Sequence, residues 1–339
     1  MTDPVSRGSG RVLAPDPAAG LVPLSSPPSF SIVIPAYQAA ATIARAIESA
    51  LAQEVAAREV IVVDDGSTDD LLGALRPFAD RVKLIRKANG GAASARNAGA
   101  EAAGGDFIAV LDADDRFHPR RIAELAALAA ARPDLDLVTT DARFVVDGKE
   151  AGNFLRDNPF AVSEQRTAIL RNCFVGGWPA ARLSRLCEIG GFDESLWIGH
   201  DWDCWVRMIL DGSTAGLVDL PYYDYVLHPG GLTSSRAKSL WDRVRLLEKA
   251  SRNPCLTVAE RPTVAQELRR RRSDAVREEA QTGASAAPPR HRLLRLAAMP
   301  GLEPRARAAA AVAFVSPGLA RRLAQSRRSP EDRLSAGDP

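Results

Sequence analysis

The sequence offers no paired cysteines and no long apolar run, and each shortage closes a class of protein. No stretch reaches the ~18–20 apolar residues that a membrane helix requires. The longest candidates, Ala123–Ala131 and Ala308–Val315, are short and alanine-rich. The opening residues lack the contiguous apolar core of a signal peptide, so a cytoplasmic location is expected. Cys173, Cys187, Cys204 and Cys255 form no C-x-x-C pair and show no zinc spacing. They read as reduced, mostly buried thiols rather than a disulfide framework. The glycine-bearing loop Asn89–Asn97 has neither the G-x-x-x-x-G-K-[ST] spacing of a P-loop nor a dinucleotide fingerprint.

What is present is an ordinary globular composition with an uneven charge. At 339 residues, with 46% hydrophobic and 25% charged positions, the chain suits about two domains. The formal net charge is only +2, yet residues 240–339 hold 20 Lys/Arg against 11 Asp/Glu, leaving 24 against 31 before them. An acidic body therefore precedes a basic extension.

The most informative stretch is Phe107-Ile108-Ala109-Val110-Leu111-Asp112-Ala113-Asp114-Asp115. Five consecutive apolar residues suit a strand buried on both faces, as in a covered, mostly parallel sheet. Three carboxylates then crowd its carboxyl end, where open α/β sheets bind ligands. They repel one another unless a cation sits among them. A hard divalent ion such as Mn²⁺ or Mg²⁺ takes carboxylate and phosphate oxygens together, so a metal carrying phosphates is the expected occupant. The competing role is helix capping, for which Asp115 is the candidate, with Pro119 in the first turn after it.

Residues 1–28, rich in Pro, Gly, Ser and Ala, are expected to be a disordered leader. Strands are expected at Phe30–Pro35, Glu59–Val63, Val82–Ile85, Phe107–Leu111 and Leu135–Thr139. Helices fall between them: one capped by Thr42, with Ile43, Ala46, Ile47, Ala50 and Leu51 at helical spacing, and one over Pro119–Ala131. This alternation predicts a doubly wound sheet. Asp64-Asp65-Gly66-Ser67-Thr68-Asp69 follows the second strand as a loop able to offer amides and carboxylates to a nucleotide, or simply to cap a helix. Small residues after Gly90-Gly91 suit a closely packed helix. In the second half, Trp202, Trp205, Val206 and Ile209 form one apolar stripe on a helix starting near Asp201, which is either its N-cap or a catalytic base. Trp178 and Trp197 fall in loops and are candidates to stack on an acceptor. A late strand at Val218–Val226 leads to His228, which reads as a loop residue or an auxiliary metal ligand. From Ser239 the pattern is Arg-rich and helical, densest at Arg269–Arg272. Gly283–Pro289 is a flexible break, and Ser326–Pro339 is expected to fray.

Six motifs now stand in order: Ser31-Ile32-Val33-Ile34-Pro35-Ala36-Tyr37, Val62–Asp69, Ala95-Arg96-Asn97, Leu111–Asp115, Gly190-Gly191-Phe192-Asp193-Glu194 and Asp201-Trp202-Asp203. Together they closely resemble the family 2 inverting glycosyltransferases of the GT-A fold. The likeness spans roughly residues 30–235. It implies a GT-A domain over 29–238, with a nucleotide-binding half to about 140 and an acceptor half beyond it, then a helical extension over 239–339. It implies that Pro35, Ala36 and Tyr37 line the base and ribose and that Asp65 meets the edge of a uracil-like base. Asp112-Ala113-Asp114 matches the D-x-D motif, with Asp114 on the metal and Asp112 near the ribose or the metal. Asp201 falls at the catalytic base, usually preceded by Glu; His200 stands there instead. The Q-x-x-R-W of processive members is absent, so transfer of a single sugar from a nucleotide-diphosphate sugar, UDP-linked by preference, is expected. Burial beside Trp197 and Trp202 is expected to raise the basicity of Asp201.

Three other readings stay open. A nucleotidyltransferase of similar fold needs a basic group on the phosphates, for which Arg96 is the near candidate. A protein that kept the fold and lost the chemistry is the second, and a purely structural protein, which suits the carboxylates poorly, is the third. The partners implied are a nucleotide sugar and a glycan or lipid-linked acceptor. The basic extension suggests peripheral membrane contact and, with few aromatics, no nucleic acid.

Overall fold

The computed structural model describes residues 10–17, 19–228, 236–282, 297–299 and 301–315. The chain divides into two compact units, Met1–Gly231 and Leu232–Pro339. The first carries, in order, β1 (Arg11–Leu13), β2 (Phe30–Ala36), α1 (Ile43–Leu51), β3 (Glu59–Asp64), α2 (Leu71–Leu75), β4 (Lys83–Arg86), α3 (Ala92–Ala102), β5 (Phe107–Val110), β6 (Arg116–Phe117), α4 (Arg121–Ala131), β7 (Leu137–Val146), β8 (Lys149–Asn153), α5 (Phe154–Asp157), α6 (Gln165–Arg171), β9 (Ala180–Arg182), α7 (Leu183–Glu188), α8 (His200–Leu210) and β10 (Ala215–Leu227).

The apolar runs become the centre of one sheet, ordered β1-β10-β7-β9-β5-β2-β3-β4, with β6 on β10 and β8 on β7. Strands β2, β3, β4 and β5 are mutually parallel, as the strand–helix alternation predicts. Ile32, Ile34, Ile61 and Val62 are fully buried because helices cover both faces. Helix α3 lies so close to β2 that a Cβ on Gly99 would stand 2.3 Å from Val33 Cγ1, which is why its residues are small.

Four features depart from the expectation. The leader is not wholly without structure: β1 pairs antiparallel with β10, Arg11 opposite Asp219, and Leu24 N–H donates to Ala130 O. Strand β9, absent from the sequence reading, lies antiparallel between β5 and β7. Asp115 caps no helix, because β6 follows it and α4 starts only at Arg121. Thr42 also makes no capping bond; its hydroxyl turns back to Ala39 O.

The second unit contains α9 (Arg236–Ala250), α10 (Arg261–Thr282) and α11 (Pro304–Val315). Val276, Ala280, Leu302, Ala306, Ala310 and Ala313 form one apolar cluster in it, and Val244, Leu247, Val264 and Ala275 are buried as well. Trp241 Nε1–H donates to Glu279, and Arg272 pairs with Glu248 at 2.7 Å. The dense Arg269–Arg272 run is thus split. Arg272 holds α10 to α9, Arg271 is half-buried near Glu267, and Arg269 and Arg270 face solvent. The expected break at Gly283–Pro289 and frayed end at Ser326–Pro339 lie outside the described residues. Among the described residues no helix is long and apolar enough to cross a membrane.

Candidate active site

The loops after β2, β3 and β5 meet at the carboxyl edge of the sheet. The β2 and β3 loops are clamped by Gln38, which the sequence reading passed over. Its carbonyl oxygen accepts from Thr68 N–H and Asp69 N–H at 3.0 Å each, and its amide donates to Thr68 Oγ1. Asp69 answers by accepting from Ala40 N–H. Pro35 and Ala36 close β2 beneath this clamp, and Tyr37 stands about half exposed above it.

Asp65 is buried and already engaged. Its oxygens accept from Gly90 N–H, from Gly91 N–H at 2.8 Å and from Lys87 Nζ at 2.8 Å. It therefore pins the glycine loop ahead of α3, a task its place in the Asp-Asp-Gly-Ser motif does not disclose. Asp64 beside it accepts from Ser67 N–H and Arg86. Burial opposes its ionised form, but those bonds outweigh burial and hold its carboxyl below the usual range.

The three acids after β5 part company. Asp115 is buried, accepting Tyr223 O–H and Val226 N–H at 2.7 Å each. Burial first, then the charges of Asp112 and Asp114, push its carboxyl well above the usual range. Its bond to Val226 fixes the end of β10, two residues before His228. Asp114 points outward, and His228 Nε2 lies 2.6 Å from its Oδ2. Asp112 turns toward α3, where its Oδ1 accepts from Arg96 Nη2 at 2.8 Å.

Arg96 continues across the site. Its Nη1 meets Nε2 of His200, the first residue of α8. The guanidinium is buried, but Asp112 and then Asp201 more than offset the cost of burial and raise its pKa. Asp201, next on α8, is half-buried; its Oδ1 accepts from Trp202 N–H, and a Cβ on Gly177 would come 2.7 Å from its Oδ2. A side chain at 177 would displace that carboxylate. Asn97 fixes the far wall by donating to Phe192 O and accepting from Phe192 N–H.

The tryptophans divide. Trp178 is 6% exposed, stacks on Tyr223 at 5.2 Å and donates to Thr140 O. It is core, because β9 draws it into the sheet's interior, and it cannot stack on an acceptor. Trp202 also turns inward, donating to Ile169 O, and Asp201 itself stays half-buried. Trp197 remains 49% exposed and close to Gly91.

Asp114 and His228 can hold a divalent cation. No cluster of three or more such ligands gathers among the described residues. Two protein ligands beside open solvent fit a hard cation whose remaining positions are filled by phosphate and water.

Residues 31–178 match the family described as Glycosyl transferase family 2. The succinoglycan biosynthesis protein ExoU of Rhizobium meliloti (strain 1021) is 31% identical over 252 residues, 67% of this chain and 72% of ExoU. The chain belongs to the family 2 glycosyltransferases. The succinoglycan biosynthesis protein ExoO of the same organism is 35% identical over 224 residues, 61% of this chain and 63% of ExoO, so a little under two thirds of that relative is spanned. Among solved structures, residues 1–349 of S. aureus TarS in complex with UDP superpose with a TM-score of 0.60 at 18% identity, covering 91% of this chain and 92% of the other. The fold is therefore the mixed α/β GT-A fold that the motif order implies.

Proposed function

We propose that the protein is an inverting, metal-dependent glycosyltransferase that moves one sugar from a nucleotide-diphosphate sugar to an acceptor hydroxyl. The observation that carries this reading is that buried Arg96 joins Asp112, two residues before the Asp114–His228 pair, and feels the charge of Asp201 as well. The donor nucleotide lies against Pro35, Ala36, Tyr37 and the loop pinned by Asp65. UDP is the preferred nucleotide. Asp114 and His228, with Asp112 and Ala113 next to them in the chain, would hold Mn²⁺ or Mg²⁺, which would supply Lewis-acid stabilisation of the departing diphosphate. Asp201 accepts the proton of the acceptor hydroxyl as that oxygen attacks the anomeric carbon and the bond to the diphosphate breaks. Asp201 stands in the first turn of α8, at the positive end of that helix.

The likeness to two succinoglycan biosynthesis proteins supports a place in polysaccharide or cell-envelope glycan assembly. A glycan or lipid-linked acceptor then enters beside Trp197, and exposed arginines such as Arg269 and Arg270 give the second unit a surface suited to anionic lipid. Flotation with phosphatidylglycerol vesicles, against phosphatidylcholine alone, tests that contact.

The experiment for the reaction is a thermal-shift panel of UDP, GDP, dTDP and CDP with and without Mn²⁺ on wild type, Asp114→Ala and Asp201→Asn. One nucleotide is expected to raise the melting temperature only with metal, since a ligand bound to the native state stabilises it by mass action. Asp114→Ala loses that shift, whereas Asp201→Asn keeps it and loses sugar transfer. No shift with any nucleotide would move the protein to the non-catalytic reading, and a fully active Asp201→Asn would remove the base assignment.

A further inference from the structure

We propose that His200 is a positioning residue: held as the neutral tautomer with its hydrogen on Nδ1, it accepts a hydrogen bond from Arg96 and so ties the helix carrying Asp201 to the Asp112 carboxylate. The argument starts from the guanidinium, which has donors on every nitrogen and no acceptor. Arg96 Nη1 is in hydrogen-bond contact with His200 Nε2, so the imidazole nitrogen there must present its lone pair. An imidazolium, or the Nε2–H tautomer, would set one N–H against another in a buried space.

That space is closed to solvent. Arg96 and His200 are 6% and 5% exposed, and Phe192 walls both, 5.7 Å from the guanidinium carbon and 6.3 Å from the imidazole centroid. A buried charge is tolerated only when paired, and Arg96 has its pair in Asp112 at 2.8 Å. One planar group thus spans three elements: α3, which bears it, the loop after β5 and the first turn of α8. Arginine suits this because its fork is rigid, so fixing one Nη fixes the direction of the other. Burial and the adjoining guanidinium both disfavour a charged His200, in keeping with the geometry.

The consequence is a link between the two sides of the site. Removing the imidazole acceptor frees one arm of the guanidinium and loosens the Asp112 carboxylate, although His200 itself lies on the Asp201 side. That functional consequence rests on the transferase reading; the tautomer and the three-element link do not.

The test uses the full chain labelled with ¹⁵N-histidine. The protein has four histidines. His118 supplies an internal reference of opposite tautomer, because its Nδ1 accepts from Arg120 N–H. His200, assigned through its loss in His200→Gln, is expected to be neutral with hydrogen on Nδ1 from pH 8 to pH 5.5, and its resonances are expected to move in Asp112→Asn. Calorimetry with UDP and Mn²⁺ is the second arm. His200→Leu weakens binding roughly tenfold, the scale of a lost buried hydrogen bond to a charged group. His200→Gln, whose amide oxygen can accept in place of Nε2, restores most of it. A charged His200, an Nε2–H tautomer, or resonances indifferent to Asp112→Asn overturns the proposal. So does a His200→Leu protein that is folded and binds UDP like wild type. If wild type binds no nucleotide, the transferase reading fails while the resonance arm still decides the link.

Discussion

Replacing His200 by glutamine should flatten the acid side of the protein's stability profile. In the folded protein burial first, and then Arg96, lower the His200 pKa to about 4, against opposing contributions from Asp201, Asp112 and the Trp197 backbone. In the unfolded chain the imidazole returns to about 6.5. The folded state thus takes up its proton later than the unfolded state as pH falls. The contribution of His200 is complete above about pH 6.5 and is lost progressively toward pH 4. At pH 5 the unfolded imidazole is almost fully charged and the folded one almost wholly neutral, so the loss is about 2 kcal/mol at 1.36 kcal/mol per pKa unit. Glutamine has no such proton to gain. Urea unfolding at pH 7 and pH 5, followed by tryptophan fluorescence, measures the difference. The wild-type midpoint should fall by close to 1 M more than that of His200→Gln, given urea slopes of about 1–3 kcal/mol per M. His118, whose pKa is also lowered, by burial and then by Arg143, contributes equally to both proteins and cancels. Equal acid losses in the two proteins would refute the reasoning, because the imidazole would then not be buried neutral against Arg96.

Three further outcomes follow from the site. Gly177→Ala places a methyl 2.7 Å from Asp201 Oδ2 and should cut sugar transfer at least tenfold while the metal-dependent UDP thermal shift persists. Trp178→Ala should cost about 3–5 kcal/mol of unfolding free energy in urea, the usual range for a buried aromatic, and identical catalysis per folded molecule would confirm that Trp178 touches no acceptor. Gln38→Ala releases Thr68 N–H and Asp69 N–H and should weaken UDP binding by calorimetry severalfold, with a change of melting temperature of only a few degrees.

The sheet was legible because its central strands are continuous apolar runs, and burial on both faces leaves no alternation to misread. Strands β2, β3 and β5 fall where Phe30, Val60 and Phe107 begin such runs. Strand β9 escaped because Ala180-Ala181-Arg182 is short and carries no periodicity, and only its neighbours β5 and β7 make it a strand. The acids showed a different limit. Asp112, Asp114 and Asp115 are chemically alike in sequence, yet one meets an arginine 16 positions away, one a histidine 114 away and one a buried tyrosine 108 away. Asp65 and Gln38 were opaque for the same reason, since their bonds run to loops that only the folded sheet brings near. His200 was noticed as an odd neighbour for a base, but its role depends on Arg96, 104 positions earlier.

Strand β1 has a consequence for how this protein is made and handled. Arg11, Val12 and Leu13 cover the outer side of β10 at Leu217–Asp219, a stretch that would otherwise show bare amides and carbonyls to other molecules. An uncovered strand of that kind is a template for intermolecular pairing. The strand that shields it leaves the ribosome well before β10 and waits for that partner until nearly the whole first unit has been synthesised. Shortening the amino-terminal segment past Leu13, or placing a bulky fusion against it, should therefore lower soluble yield through self-association even though every residue of the candidate active site is retained.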